Sequence, residues 1–441
     1  MKQPLKVFIK TYGCQMNGRD SEMISAQLRD AGHEVVSDEN VADVAILNTC
    51  SVREQAEIRA LGKAGHLSRR KRTNPNFKIG IIGCMAENLG AEFFQLNSDI
   101  DFAIGPRRLN ELVEVVENQT QDLRIGAAIK QTAARNFGHI TGKCTAFISI
   151  AHGCNRRCSY CIVPKTRGRE IYRPMDAVLA EAKFLAENGT REITLLGQTV
   201  NGYGVTAMPT LGSKTPFVQL LEKLDAVNGI ERIRYMSPHP QRFSDDLIFA
   251  HKDLPKLCPS VHLPVQSGSN RVLRAMGRPY TVEKILQIVE KLRDAVPRIG
   301  ISTDIIVGYP GETGGEFEET VALFDAAKFN MAFIFKYSPR VGTKSAMLAD
   351  DVPDVEKERR NQILLKRVEE CSLSYNEQFI GQTVEVLAEG NARRGEGMVF
   401  GWTPNHCKVL FKAPSDSVGQ IVSVRVEGCA TTVLVGTLID R

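Results

Sequence analysis

Between residues 4 and 120, short apolar runs alternate with segments whose apolar residues recur every three or four positions. That is the pattern of a parallel sheet with crossover helices. It predicts strands at 7–10, 44–47, 79–82 and 102–104, and helices at 19–31, 53–68 and 109–117. Residues 119–143 are mixed, polar and aperiodic, and read as a linker. Six strand–helix units come next, with strands near 146–150, 192–196, 232–236, 261–263, 302–307 and 333–337. Helices fit 175–187, 218–226, 245–251, 281–295 and 316–327 between them. A long charged helix is predicted over 355–379, with Ile363, Leu364, Val368 and Leu373 on its buried side. After Gly381 the period shortens to strands, at 383–387, 398–401, 408–412, 420–427 and 433–440. Five short strands punctuated by glycine and proline fit a small closed barrel. The predicted class is α/β, in three domains: an amino-terminal open parallel α/β domain (4–120), a core suggesting an incomplete (βα)6 barrel (140–373), and a small carboxyl-terminal β-barrel (376–441).

Composition narrows the class. A length of 441 residues suits about three domains, and 43% apolar with 24% charged residues describes an ordinary globular chain. No window approaches ~18 uninterrupted apolar residues, so no membrane span is expected. The segment before residue 7 lacks an apolar signal core. Eleven cysteines without a secretion signal point to a reducing, cytoplasmic setting, where clustered thiols are catalytic or metal-binding. The net charge of +5 is a weak hint of a polyanionic partner.

The cysteines change the picture most. Cys154, Cys158 and Cys161 lie in Gly153-Cys-Asn-Arg-Arg-Cys-Ser-Tyr-Cys, directly after an apolar strand. Three thiolates so close together suit one metal centre. A cuboidal iron–sulfur cluster wants four such ligands, so three leave one iron open to a substrate. Two other readings fit the spacing: a buried helical stripe, which Gly153, Asn155 and Pro164 oppose, and a zinc site with His152 as fourth ligand. A second set is dispersed. Cys14, Cys50 and Cys84 each follow one of the first three predicted strands, and ligand sites in open α/β sheets gather outside the carboxyl ends of strands. Parallel pairing would therefore bring them together, although a lone cysteine beside a strand is most often a small buried hydrophobe.

The triplet, with Tyr160 before its last cysteine, resembles the radical S-adenosylmethionine (radical SAM) enzymes. Tyr12-Gly-Cys-Gln-Met-Asn17, Asn48-Thr-Cys-Ser-Val-Arg-Glu54 and Gly83-Cys-Met-Ala86 are similar to the cysteine motifs of the methylthiotransferases within them. The resemblance covers essentially the whole chain, apart from Glu87-Asn88, where a basic residue is common. It implies two [4Fe-4S] clusters: an auxiliary one on Cys14, Cys50 and Cys84 whose open iron carries the sulfur, and one on Cys154, Cys158 and Cys161 that splits SAM. It also implies a radical SAM barrel in the centre and a tRNA-binding TRAM domain at the end. SAM contacts are expected at Tyr160, Gln198, Asn201, Gly308 and Glu312.

The Ser-Val-Arg-Glu wording after Cys50, His262-Leu-Pro-Val-Gln-Ser-Gly268 and Tyr337-Ser-Pro-Arg340 resemble the branch acting on isopentenylated adenosine. The implied activity is methylthiolation at C2 of N6-isopentenyl-adenosine beside the anticodon of tRNA. Alternative acceptors are threonylcarbamoyl-adenosine in tRNA and an aspartate of a ribosomal protein. A reading of a different class is a non-catalytic iron–sulfur RNA-binding or regulatory protein, which would not need an open iron. A flavodoxin or ferredoxin is expected as electron donor, and a monomer as the working form.

Other positions carry weaker expectations. RNA contacts are expected at Arg393, Arg394, Trp402, Lys408 and Lys412, since cations with an aromatic suit single-stranded loops; Trp402 alternatively fills the small core. Arg167 and Arg169 suit a carboxylate or phosphate, or an ion pair with Glu170. Arg69-Arg70-Lys71-Arg72 reads as a solvated helix end or a phosphate contact. Cys144, Cys258, Cys371, Cys407 and Cys429 read as packing residues. Because the barrel is complete before Gly381, removing the chain from that glycine onward should leave SAM cleavage intact.

Overall fold

The computed structural model describes residues 3–52, 54–118, 121–128, 138–139 and 142–440. Arg53 and most of the predicted linker lie outside the described residues. The chain divides into two compact units. One comprises Met1–Ile140, Ala151–Ile171 and Arg340–Thr343; the other comprises Thr141–Ile150, Tyr172–Pro339 and Lys344–Arg441.

The first unit is built on a six-stranded, wholly parallel sheet: Lys6–Thr11 (β1), Glu34–Val36 (β2), Val44–Thr49 (β3), Lys78–Gly83 (β4), Phe102–Ile104 (β5) and Asp122–Arg124 (β6). The spatial order β2-β1-β3-β4-β5-β6 reverses direction between β1 and β3. Every residue of β3 is buried, as a strand covered on both faces must be. One face packs Ala45, Leu47, Ile79 and Ile81 against Ala60, Ala64 and Leu67 of helix Glu54–Lys71. The other sets Val7, Ile46, Ile82 and Ile104 against Ile24 and Leu28 of helix Gln15–Asp30 and Leu112, Val115 and Val116 of Leu112–Asn118.

The pattern anticipated four of these strands and missed the short edges β2 and β6. It also missed helices Cys84–Leu89 and Glu92–Leu96. The helix predicted at 109–117 is a 3₁₀ stretch, Pro106–Glu111, running into the α-helix Leu112–Asn118. The segment Ala151–Ile171 contributes a two-stranded ribbon, Ala151–His152 (β8) with Ile171–Tyr172 (β9).

In the second unit the six expected strands are present, all paired in parallel. Thr145–Ser149 (β7), Glu192–Leu196 (β10) and Arg232–Tyr235 (β11) form one sheet, and Ser260–His262 (β12), Gly300–Val307 (β13) and Met331–Lys336 (β14) another. A parallel bridge from Ile233 to Leu257 continues β11 toward β12. This is the incomplete (βα)6 barrel. Along β13 the residues alternate: Ile301, Thr303, Ile305 and Val307 are buried toward the helices, while Ser302, Asp304 and Ile306 are partly exposed on the opposite, inner face.

The chain ends in a closed five-stranded barrel of Thr383–Asn391 (β15), Met398–Trp402 (β16), Lys408–Lys412 (β17), Ile421–Ala430 (β18) and Val433–Asp440 (β19). Its core is Val386, Val399, Val409, Phe411, Val424 and Leu434. It is not a loose appendage. Arg232 donates to the Trp402 carbonyl (2.7 Å), and Arg234 donates to the carbonyls of Thr403 and Pro404 (2.8 Å each) and to Glu192 (2.8 Å). Loop 402–406 is thereby fixed across the amino-terminal ends of β10–β12, where Arg234 also reaches Ser260.

Helix Asp354–Glu377 precedes this barrel. Its fully buried residues are Lys357, Arg360, Leu364, Ser372 and Asn376; of the predicted stripe Leu364 is buried, Ile363 and Val368 are half-buried, and Leu373 is exposed. Lys357 and Arg360 are buried because each finds a carboxylate, Asp350 and Glu312 respectively.

Candidate active site

Cys14, Cys50 and Cys84 follow β1, β3 and β4, which are neighbours in the sheet, at the point where its winding reverses. Parallel register pairs Thr11 with Asn48 and Thr49 with Gly83, so the three thiols emerge side by side. Close approach requires glycine at Gly13 (φ +117), where an added Cβ would collide with the Cys50 Cβ. The Cys50 thiol hydrogen-bonds Cys14, which lowers the Cys14 pKa against the opposing effect of burial. Arg167 adds to that lowering, and the same contact pushes Cys50 upward. Cys14 is also the N-cap of helix Gln15–Asp30, a position that favours a thiolate.

A buried amide network holds these ends. The Asn17 side chain donates to Asn48 Oδ1 (3.0 Å) and to the Thr49 carbonyl (2.9 Å). The Asn48 side chain donates to the Asn17 carbonyl (2.8 Å) and Ser21 Oγ (2.9 Å). Arg167 pairs with Asp20 at 2.8 Å, not with Glu170. Burial opposes the charge of Arg167, but Asp20 and the thiols of Cys84 and Cys14 hold its pKa above the usual value. The sequence motifs contain Asn17 and Asn48 without disclosing this role, and Asp20 lies just beyond the first of them. Their signal was position, each within six residues of a candidate cysteine.

The Cys154–Cys161 segment follows β7 in the chain and contains no helix; the first begins at Val163. That disposes of the helical-stripe reading. Gly153 (φ +76) lets the chain turn against the Arg169 carbonyl, and the Cys154 N–H donates to Gly168 O at 3.0 Å. The amides of Arg156 and Val52 point at Cys154 Sγ and Cys50 Sγ, 3.4 Å each. Cys154 is buried, while Cys158, Tyr160 and Cys161 are half-exposed. Among the described residues no three His, Cys, Asp or Glu side chains converge as a single ion requires. Two all-thiol sets with amide donors to sulfur fit iron–sulfur clusters better than a compact zinc site with His152.

The other expected residues fall on loops following strands. Gln198 and Asn201 follow β10, and the buried Gln198 Oε1 has no partner among the described residues. Both ends of the Asn201 amide are engaged with the His239 backbone (3.0 and 2.8 Å). Gly308 (φ +70) and Glu312 follow β13 and bind each other, the Gly308 N–H donating to Glu312 Oε2 at 2.6 Å. Burial raises the Glu312 pKa, and Arg360 at 2.7 Å counters it. Gln198 is thus open to a ligand, whereas Asn201 and Glu312 are already engaged in shaping their loops.

In the terminal barrel, Arg393 and Arg394 lie exposed on the β15–β16 turn, with exposed Lys412 opposite Met398 in the register. Lys408 lies over the Phe400 ring (5.0 Å), and Trp402 stacks on His406 (4.6 Å) at the docked end. The five residues therefore separate to opposite ends of one hairpin. In the run at 69–72, Arg70 donates to the carbonyls of Glu39 and Ala42, and Lys71 pairs with Asp101 at 2.6 Å; Arg69 and Arg72 are exposed. No helix among the described residues is long and apolar enough to cross a membrane.

Comparison with known proteins agrees with this layout. Residues 148–324 match the Radical SAM superfamily, and residues 6–105 match Uncharacterized protein family UPF0004. The tRNA-2-methylthio-N(6)-dimethylallyladenosine synthase of Opitutus terrae is 44% identical, covering 98% of this chain and 97% of its own. The protein of that name from Pseudomonas aeruginosa PAO1 is 41% identical over 99% of this chain and 98% of its own. Among solved structures, the radical S-adenosylmethionine methyltransferase TsrM of Kitasatospora setae superposes with a TM-score of 0.57. It covers 78% of this chain and 77% of its own at 15% identity, a likeness of fold alone. Each matched segment contains one complete cysteine set, and the identity to the synthases runs nearly end to end. The chain therefore belongs to the tRNA-2-methylthio-N(6)-dimethylallyladenosine synthase family of radical SAM methylthiotransferases.

Proposed function

We propose that this chain adds a methylthio group to C2 of N6-isopentenyl-adenosine next to the anticodon of tRNA, using SAM and two [4Fe-4S] clusters. The gathering of Cys14, Cys50 and Cys84 at three adjacent strand ends is the observation that carries the reading, since SAM cleavage alone needs one cluster. Those three would hold the auxiliary cluster, and Cys154, Cys158 and Cys161 the other. When bound, the clusters supply an electron to split SAM into methionine and a 5′-deoxyadenosyl radical, together with a place for the sulfur to be transferred.

The chain's own residues position and shield. Asn17 and Asn48 fix the loops bearing the first thiols, and Arg167 offsets their negative charge. Tyr160 directly precedes Cys161 of the second set; in the radical SAM core Gln198 offers a buried acceptor to SAM, and Asn201, Gly308 and Glu312 shape their own loops. Residues 4–120 serve as the auxiliary-cluster module, 140–373 as the radical SAM core and 376–441 as the TRAM module. Arg393, Arg394 and Lys412 meet RNA phosphate, with Lys408 and Trp402 at the other end of the same hairpin. The enzyme works in the cytoplasm as a monomer, away from membranes, and draws electrons from a flavodoxin or ferredoxin.

The test offers purified, cluster-loaded enzyme tRNA carrying unmodified, isopentenylated or threonylcarbamoylated adenosine, and scores methylthio-nucleosides by mass. Product on isopentenylated tRNA alone is expected. Product on the threonylcarbamoylated tRNA alone would overturn the choice of acceptor.

A further inference from the structure

Three side chains on the inner face of the partial barrel form a platform that the proposed function leaves unused. His262 on β12 is buried, with Nδ1 3.0 Å from Ser302 Oγ and Nε2 3.2 Å from Asp304 Oδ2. Asp304 on β13 is opposite Phe333 on β14 in the parallel register, so the two share a face. The Phe333 ring stands edge-on to His262, with centroids 6.2 Å apart. Two features are unusual for the middle of a strand. The Asp304 carboxylate is 28% exposed, and only its Oδ2 is engaged, leaving Oδ1 free to accept among the described residues. Phe333 is 41% exposed although it lies in a barrel strand. Beside them Ile306 is also partly exposed on the same face.

A fixed carboxylate oxygen next to an open phenyl ring suits a planar base that donates one N–H and carries an apolar group. We propose that Asp304 and Phe333, with His262 orienting the carboxylate, form the subsite that reads the N6 edge of the acceptor adenine. Asp304 accepts the N6–H, and Phe333 with Ile306 covers the isopentenyl chain. This rests on isopentenyl-adenosine as the acceptor and adds how that acceptor is selected.

An adenine also arrives on SAM. Its amino group carries two hydrogens and no apolar substituent, so it would leave the exposed phenyl ring without a purpose. The site also selects by repulsion. A threonylcarbamoyl group ends in a carboxylate, which Asp304 would oppose in a partly desolvated cleft. His262 spends both ring nitrogens on Asp304 and Ser302 and is a positioning residue.

Binding of short anticodon stem-loops to the full-length, cluster-loaded enzyme tests the site. Asp304→Asn keeps the shape and an acceptor oxygen but removes the charge. It should narrow the Kd ratio between threonylcarbamoylated and isopentenylated stem-loops by about tenfold. Phe333→Ala should weaken the isopentenylated stem-loop by about tenfold relative to the unmodified one, and Phe333→Leu should restore most of that. The KM for tRNA should rise at least tenfold more than the KM for SAM in Phe333→Ala. A shift confined to the KM for SAM would mean the platform reads the cofactor's adenine, and overturns the proposal. A wild-type preference that neither Asp304→Asn nor Phe333→Ala changes would overturn the site while leaving the acceptor intact. Equal wild-type affinity for all three stem-loops would count against the acceptor itself.

Discussion

At the scale of single residues, the candidate chemistry depends on atoms that do no chemistry. Gly13 is the clearest case. Its positive φ and its contact with Cys50 leave no room for a methyl group. Alanine there should push the β1 and β3 ends apart without touching a thiol. In a background where Cys154, Cys158 and Cys161 are all alanine, about four irons per chain are expected at the amino-terminal site. Adding Gly13→Ala should reduce that clearly, with iron and sulfide analysis as the measurement. The cysteines themselves were legible, because their positions relative to predicted strands are a matter of counting. The amide network was not. That Asn17 Nδ2 meets Asn48 Oδ1 at 3.0 Å depends on register between strands distant in sequence, which periodicity does not encode.

Helices and strands show where periodicity succeeds and fails. Strands buried on both faces, such as β3 and β4, announce themselves as continuous apolar runs. The edges β2 and β6 have three residues each and carry Glu34, Asp122 and Arg124, too short and too polar to register. The helix at 354–377 misled for another reason. It buries the alkyl stems of Lys357 and Arg360, whose charges are paired, so its inward face reads as polar.

Helix Asp245–Asp253 carries a consequence for pH. His251 is buried against Tyr235, its Nε2 2.7 Å from the hydroxyl, and burial lowers its pKa to about 4. Between about 4 and the ordinary imidazole value near 6.5, the unfolded chain takes up a proton that the folded chain refuses. Stability contributed by this site is therefore full above about pH 6.5 and falls as pH drops toward 4, by at most about 3 kcal/mol. Urea midpoints at pH 7 and pH 5 should differ, and the difference should shrink in His251→Gln.

On the scale of the molecule, the terminal barrel's attachment revises one expectation from sequence. Cutting the chain at Gly381 would remove the loop carbonyls that Arg232 and Arg234 donate to, leaving these buried cations with only Glu192 and Ser260 as partners at newly opened strand ends. Truncation therefore tests folding as much as RNA binding. Charge reversal at Arg393, Arg394 and Lys412 is the cleaner probe, because all three are exposed and remote from loop 402–406. If each meets a phosphate, the triple Glu variant should weaken tRNA binding, and the slope of log K against log salt should flatten by about two. An unchanged slope would place the RNA elsewhere.

The register that gathers Cys14, Cys50 and Cys84 belongs to a sheet with its own apolar core on both faces. Iron is therefore not what folds this part of the chain, unlike a small domain held together by its metal. A cell short of iron would accumulate an intact but idle enzyme rather than lose it to degradation. When iron returned, activity would recover by recharging existing molecules, at the speed of cluster delivery and not of protein synthesis.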